Sequence, residues 1–212
     1  VFVFVGFLEA YGFGVPVGGS GALTSALIAC IEDQGGQVLA DASVERVEVA
    51  GGRATGVVTR DGQLFQARDA VIGAVHPHLL GSMIEGLDPA VRRAAESTQF
   101  SDAACITVHA ALNAPLRFKA GEHVNAVMIE LLPNDYGAIR RSFDDLRYGQ
   151  LSRHPLLGLG SLTRFDPSRA PPGKATAHIW DYVPYQRDDG CSWDDTKAAY
   201  AQRMLDHAAR FI

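Results

Sequence analysis

The residues with the plainest chemical potential are glycines. Gly12 and Gly14, followed by Gly18, give a G-x-G-x-x-x-G spacing after an apolar run and ahead of a helical pattern, and Asp41 stands where a ribose-binding acid would end a second strand. That is the outline of a dinucleotide site: a tight turn, a pyrophosphate on a helix N-terminus and a carboxylate on the ribose 2′-hydroxyl. Several features weigh against it. Residues 7–11 separate the apolar run from the first glycine, Pro16 lies where backbone N–H groups are wanted, and the chain after Asp41 reads as a β-meander, not a crossover helix. A nicotinamide-dependent, NAD(P)-binding oxidoreductase using Gly12, Gly14, Gly18 and Asp41 is therefore the weaker alternative, and a turn leading into a helix the stronger. Gly18-Gly19-Ser20-Gly21 also lacks the lysine of a Walker loop.

Other constellations are thinner. His76 and His78 flank Pro77, but the proline ends any shared strand face and no third ligand is near, so a loop pair is expected and no metal site. His109, His123, His154, His178 and His207 are isolated in sequence. Gly158-Leu159-Gly160-Ser161 echoes a nucleophile elbow without its final glycine. The acidic pairs Asp188-Asp189 and Asp194-Asp195 around Cys191 read as a solvated loop and a helix start. Trp180 and Tyr182 alternate along a strand and share one face. With Tyr185 and Trp193 they either line an apolar substrate pocket or pack the core, and packing is the commoner fate of an aromatic stripe. No catalytic residue stands out.

Composition limits the partners. The chain of 212 residues is 47% hydrophobic and 20% charged, enough for a sizeable core. Its formal net charge is −5 and its 19 Lys and Arg are scattered, which argues against a nucleic-acid surface. Cys30, Cys105 and Cys191 are far apart and odd in number, so a disulfide framework is not expected and a cytoplasmic setting is the easier reading. The apolar residues 1–8 have no basic leader and meet Glu9 early, too short a run to span a bilayer. A start at Val1 suggests a piece of something longer.

These residues need elements to hold them. Residues 1–8 read as a buried strand. Leu23, Ala26, Leu27, Cys30 and Ile31 recur at helical steps after Ser20, and Gly35-Gly36 close the helix. A short extended segment at 37–40 follows, then a meander of three strands over 44–67, turned by Gly51-Gly52 and Asp61-Gly62. Residues 69–75 predict a fully buried strand stopped at His76-Pro77. Helices are expected at 89–98 after Asp88, at 135–146, and from 193 straight into the chain end. Strands are expected at 103–112, 126–132, 156–162 and 175–183, with a proline-bearing loop at 165–173.

The ordered series Pro16-Val17-Gly18-Gly19-Ser20-Gly21-Ala22-Leu23, Ala26-Leu27, Gly35-Gly36, Val44, Val47, Gly56-Val57, Asp61-Gly62 and Ala70-Val71-Ile72 resembles the middle of phytoene desaturase-like members of the FAD-dependent amine oxidoreductase superfamily. The likeness is clear over residues 14–78 and looser beyond. It implies a two-domain FAD enzyme that oxidises or desaturates an apolar substrate by passing hydride to the flavin. It also implies that Val44 meets the adenine end of FAD through backbone groups alone. The family's N-terminal flavin fingerprint and its C-terminal Gly-Asp segment are absent from these residues, so alone the chain is expected to bind FAD poorly and to be inactive.

The expectation is therefore an α+β fold, an antiparallel or mixed sheet with flanking helices and no N-terminal Rossmann motif. Residues 1–78 would bridge to a flavin domain, and 79–212 would form part of a substrate-binding domain with Trp180 and Tyr182 toward a small apolar substrate. A non-catalytic binding module is a further alternative. Membrane association and oligomeric state stay open.

Overall fold

A computed structural model describes residues 9–12 and 14–212, so the expected strand at 1–8 lies outside the described residues. The chain divides into two compact units. One is Ile28–Phe100; the other joins Ser101–Ile212 to the chain preceding Ile28.

Helix α1 (Ser20–Asp33) opens with the Gly19 carbonyl accepting from the Ala22 N–H, so Gly19 takes the capping place expected of Ser20. It closes where Gly35, at φ +78°, lets the Gly36 N–H reach back to the Ile31 carbonyl. A Cβ on Gly36 would stand 2.6 Å from the Ile31 side chain, which explains the paired glycines there. None of the residues of α1 is buried.

The smaller unit is built on the meander β1 (Val44–Ala50), β2 (Arg53–Thr59) and β3 (Leu64–Gln66), antiparallel throughout in the order β1-β2-β3. Gly51 and Gly52, both at positive φ, make the two-residue turn that a right-twisted hairpin prefers. The short helix α2 (Leu80–Met83) precedes α3 (Pro89–Glu96), whose first turn is capped by the Asp88 carboxylate accepting from Ala90 and Val91 N–H. Two expectations fail in this unit. Residues 37–40 are not extended into a strand, and the run 69–75 is neither a strand nor buried: Ile72 is 93% exposed. Among the described residues no strand pairs with either segment, and an apolar run without a ladder partner has nothing to hold it extended.

The larger unit is a four-stranded antiparallel sheet of order β4-β7-β6-β5, with β4 (Ala103–Leu112), β5 (Met128–Leu131), β6 (Leu157–Gly160) and β7 (Ala175–Pro184). Strict alternation gives it two unlike faces. Ile106 and Val108 of β4, Leu157 and Leu159 of β6, and Ile179 and Val183 of β7 point into one core with Tyr200, Met204 and Ala208 of helix α5 (Trp193–Ala208). Helix α4 (Tyr136–Arg147) starts on the Asp135 cap and buries Ala138, Ser142 and Leu146. Helix α5 does not run into the chain end as expected. It stops at Ala208, where Lys119 donates through Nζ to the Ala209 carbonyl at 2.8 Å and through its amide to that of Phe211, supplying the partners a helix C-terminus needs.

One carboxylate sits inside this core. Asp181, 2% exposed on the helix-facing side of β7, accepts from the Tyr200 hydroxyl at 2.6 Å and the Leu156 N–H at 3.2 Å. Burial pushes its carboxyl above the ordinary aspartate range despite those donors, and burial beside that carboxylate raises the Tyr200 phenol too. Because the folded chain holds the Asp181 proton to a higher pH than the unfolded chain does, this group's contribution is full at low pH. It is lost as pH rises from about 4 through the raised value. Asp181→Asn is expected to flatten that part of the stability–pH curve, and Tyr200→Phe, which strands the carboxylate, to lower stability by about 1–3 kcal/mol. Urea denaturation across pH measures both.

Candidate functional site

Neither α4 nor α5 contributes a residue to the lining of the cleft on the other face of the larger sheet. That face presents Thr176, His178, Trp180 and Tyr182 of β7 beside Cys105, Thr107 and His109 of β4. Trp180 and Tyr182 do share a face, with ring centroids 5.0 Å apart in a T-shaped contact. It is the face opposite the core, and Tyr182 is 44% exposed, so the core-packing reading of this pair is corrected. Tyr185 is exposed beyond the strand end, while Trp193 packs edge-on against Tyr200 and donates to the Pro184 carbonyl.

The glycines of β6 explain how Trp180 lies down. Gly158 is its cross-strand neighbour, and a Cβ there would stand 2.2 Å from the indole Nε1. Without that Cβ the indole spreads over β6 and reaches the Met128 sulfur at 3.3 Å. The elbow-like Gly-Leu-Gly-Ser sequence thus serves packing: Ser161 donates to the Thr176 carbonyl and is no nucleophile with a base beside it.

Two histidines expected to be isolated are register partners. His109 and His178 stack face to face, centroids 5.0 Å apart and 10° from parallel. Burial, and then the neighbouring imidazole, lowers the His178 pKa, which favours its neutral form near pH 7. They help to line a cleft of about 760 Å³ with Val15, Pro16, Ser20 and Leu162. On the same face, burial raises the Glu130 carboxyl. The face therefore carries the Trp180–Tyr182 pair with the Met128 sulfur beside it and the stacked imidazoles of His109 and His178 toward one end. Nothing short of the strand register brings His109 to His178, so sequence spacing alone could not have found them.

The glycine segment is arranged for something other than phosphate. The Gly18 N–H donates to Oδ2 of Asp166 at 2.8 Å, and Arg169 bridges that carboxylate to the Pro16 carbonyl at 2.9 Å on each side. Asp166 is 2% exposed, and hydrogen bonds from Ser168 and Gly18 hold its carboxyl below the usual range. A buried carboxylate occupies the donor a pyrophosphate would need. Asp41 lies in a turn at φ +57°, with no strand leading to it. The Gly12, Gly14, Gly18 and Asp41 set is not assembled into a dinucleotide site.

In the smaller unit Val44 begins the edge strand β1 opposite Thr59. Thr59 gives its N–H to the Gln63 carbonyl on the β3 side, so Val44 and Thr59 form a non-hydrogen-bonded pair. The Val44 amide and carbonyl consequently point outward from the sheet. His76 stacks on Phe100 at 4.3 Å and His78 meets the same ring edge-on, bonding the Thr98 carbonyl at 2.8 Å. No group of His, Cys, Asp or Glu among the described residues is placed to hold a metal ion. Asp189 accepts from the Cys191 N–H beside Arg187, and Ser192 caps α5 just ahead of Asp194 and Asp195. No helix among the described residues is long and apolar enough to cross a membrane.

The fold is shared with part of a longer solved chain. The crystal structure of an oxidoreductase from Methanosarcina mazei superposes with a TM-score of 0.63 at 17% identity, over 97% of this chain and 43% of that one. In sequence the chain is 29% identical to the pyridine nucleotide-disulfide oxidoreductase domain-containing protein 2 of Mus musculus, over 89% of this chain and 35% of that protein. It is also 29% identical to a lycopene-forming phytoene desaturase of a Paracoccus species, over 89% of this chain and 36% of that enzyme. The zeta-carotene-forming phytoene desaturase of Myxococcus xanthus matches at 26%, over 84% and 32%. The resemblance to phytoene desaturase-like proteins read from the glycine-helix-meander series is thus borne out. The chain spans about a third of the length of the curated relatives it matches. No family model matches it.

Filling the Gly158 gap tests the platform. Gly158→Val is expected to cost about 1–3 kcal/mol through overpacking and to lift Trp180 off β6. Since Trp180 and Trp193 are the only tryptophans, fluorescence in a Trp193→Phe background reports the displacement as a red-shifted Trp180 emission.

Proposed function

We propose that this chain is the middle portion of an FAD-dependent oxidoreductase of the phytoene desaturase-like kind, and that it supplies most of the substrate-binding half. The observation carrying the reading is the aromatic face of the β4-β7-β6-β5 sheet turned away from the core, on which Trp180 lies over Gly158 with Tyr182 edge-on beside it. A sheet with one face packed into the core and the other lined by aromatic side chains suits an apolar substrate laid flat against it. In this reading residues 79–212 belong to the substrate-binding half, with the wall itself built from strands between Ala103 and Pro184, while residues 1–78 connect to the flavin-binding part.

The residues available to a flavin fit a minor share of its binding. The outward amide and carbonyl of Val44 match the donor–acceptor edge of an adenine, which needs backbone groups and no particular side chain. When bound, FAD accepts the hydride removed from substrate carbon; this chain's part is to position the substrate and keep the site dry. The exposed apolar run around Ile72 suits a strand whose ladder partners lie in the remaining length of such an enzyme.

The visible absorption spectrum of the protein made from its complete gene tests the reading. A flavin band is expected, and it disappears when the gene is trimmed to these residues. A colourless full-length protein that stays colourless with added FAD overturns it. Within the full-length protein, Val44→Pro removes the amide donor and is expected to weaken FAD by about tenfold, whereas Val44→Ala leaves it unchanged. Equal loss in both, measured by flavin fluorescence titration, would assign the effect to the side chain instead.

A further inference from the structure

A second cleft, of about 810 Å³, opens in the larger unit away from the residues assigned above. Its apolar walls include Leu116, Phe118 and Pro171, and its charged lining consists of Arg117, Arg164 and Lys174 against the single acid Glu122. That balance is unusual for this protein, in which 24 carboxylate residues outnumber 19 Lys and Arg.

The three cations are also uncompensated. Not one ion pair among the described residues includes any of them. Arg164 is steered by a neutral acceptor, the Val124 carbonyl at 2.9 Å, and Lys174 by the Asn113 side-chain oxygen at 3.1 Å. Arg117 has neither an ion pair nor a hydrogen bond among the described residues. Three cations against one acid leave the cleft positive on balance, and an anion bound there is favoured. Three positive charges less one negative leave an excess close to the charge of a phosphomonoester at neutral pH, roughly −1.5 to −2. The leucine, phenylalanine and proline walls would be left against water by a bare ion, and an apolar body covers them.

From this we infer that the cleft bordered by Arg117, Arg164 and Lys174 binds a phosphomonoester carrying an apolar tail. A free alkyl phosphate and the phosphatidic acid headgroup of a membrane share this chemistry. The guanidinium of Arg117 provides the fork for two phosphate oxygens, and Lys174 a further point charge in the lining. The inference is independent of the flavin reading, because it concerns a different cleft and its test needs no cofactor.

Isothermal titration of the full chain with octyl phosphate, inorganic phosphate and 1-octanol tests it. Octyl phosphate is expected to bind at least about tenfold more tightly than either of the others, and less tightly as salt is raised. Arg117→Gln and Lys174→Gln are each expected to weaken it by about tenfold. Arg117 has no structural partner to lose, so its variant should keep the parent's circular dichroism and melting point. Sedimentation with phosphatidylcholine vesicles, with and without phosphatidic acid, separates the two sources. Capture only by the acidic vesicles makes a membrane lipid the ligand, and octyl phosphate binding without capture a free one. Octanol binding as tightly as octyl phosphate, inorganic phosphate binding equally well, or an Arg117→Gln variant with undiminished affinity would each overturn the assignment, as would no binding at all.

Discussion

The pairing of β4 with β7 runs residue for residue, from Ala103 opposite Pro184 to Leu112 opposite Ala175, without a bulge. Because side chains alternate strictly across a pleated sheet, this single register decides which residues enter the core and which are left out. A slip by one position would put Trp180, His178 and Tyr182 against Met204 and Tyr200, and expose Ile179 and Val183. The buried Asp181 is what such a slip would punish most, since its Tyr200 and Leu156 donors exist on one side of the sheet only. Core and candidate site are thus two consequences of one ladder.

The same ladder explains which parts of the molecule could be read from sequence. Period-two alternation in 103–112 and 175–183 is strong enough to place both strands, and the Asp88 and Asp135 caps, the Gly51-Gly52 turn and the Gly35-Gly36 helix stop each act through neighbouring residues. Local chemistry of that kind is visible in any short window. What failed needed a distant partner. Residues 69–75 have the composition of a buried strand, yet composition cannot supply the ladder that makes one. Just past the end of the helix at 193–208, the Ala209 and Phe211 carbonyls are taken by Lys119, far away in sequence.

The candidate site divides along the same line. That Trp180 and Tyr182 share a face follows from alternation, but which face does not, since a core stripe and a binding stripe look alike until the helices are placed. His109 and His178 meet only through register, and Gly158 acquires its purpose only once Trp180 is seen lying across it. The glycine series at 12–18 reads as a turn leading into a helix, with phosphate as the weaker alternative. Its spacing suggested phosphate, while the buried Asp166 that claims the Gly18 amide lies 148 residues further on.

That last hydrogen bond has a bearing on how the molecule comes into being. The segment around Pro16 and Gly18 finishes its bonding only with Asp166 and Arg169, and the whole of Ile28–Phe100 lies between them in the chain. On a ribosome, where the N-terminal end emerges first, the early segment must wait through the synthesis of an entire compact unit before its anchor exists. Meanwhile the meander, closed by neighbouring turns, can form at once. The order of emergence and the order of completion are therefore inverted, and the first residues to appear among those the Asp166 clamp holds are among the last to be secured.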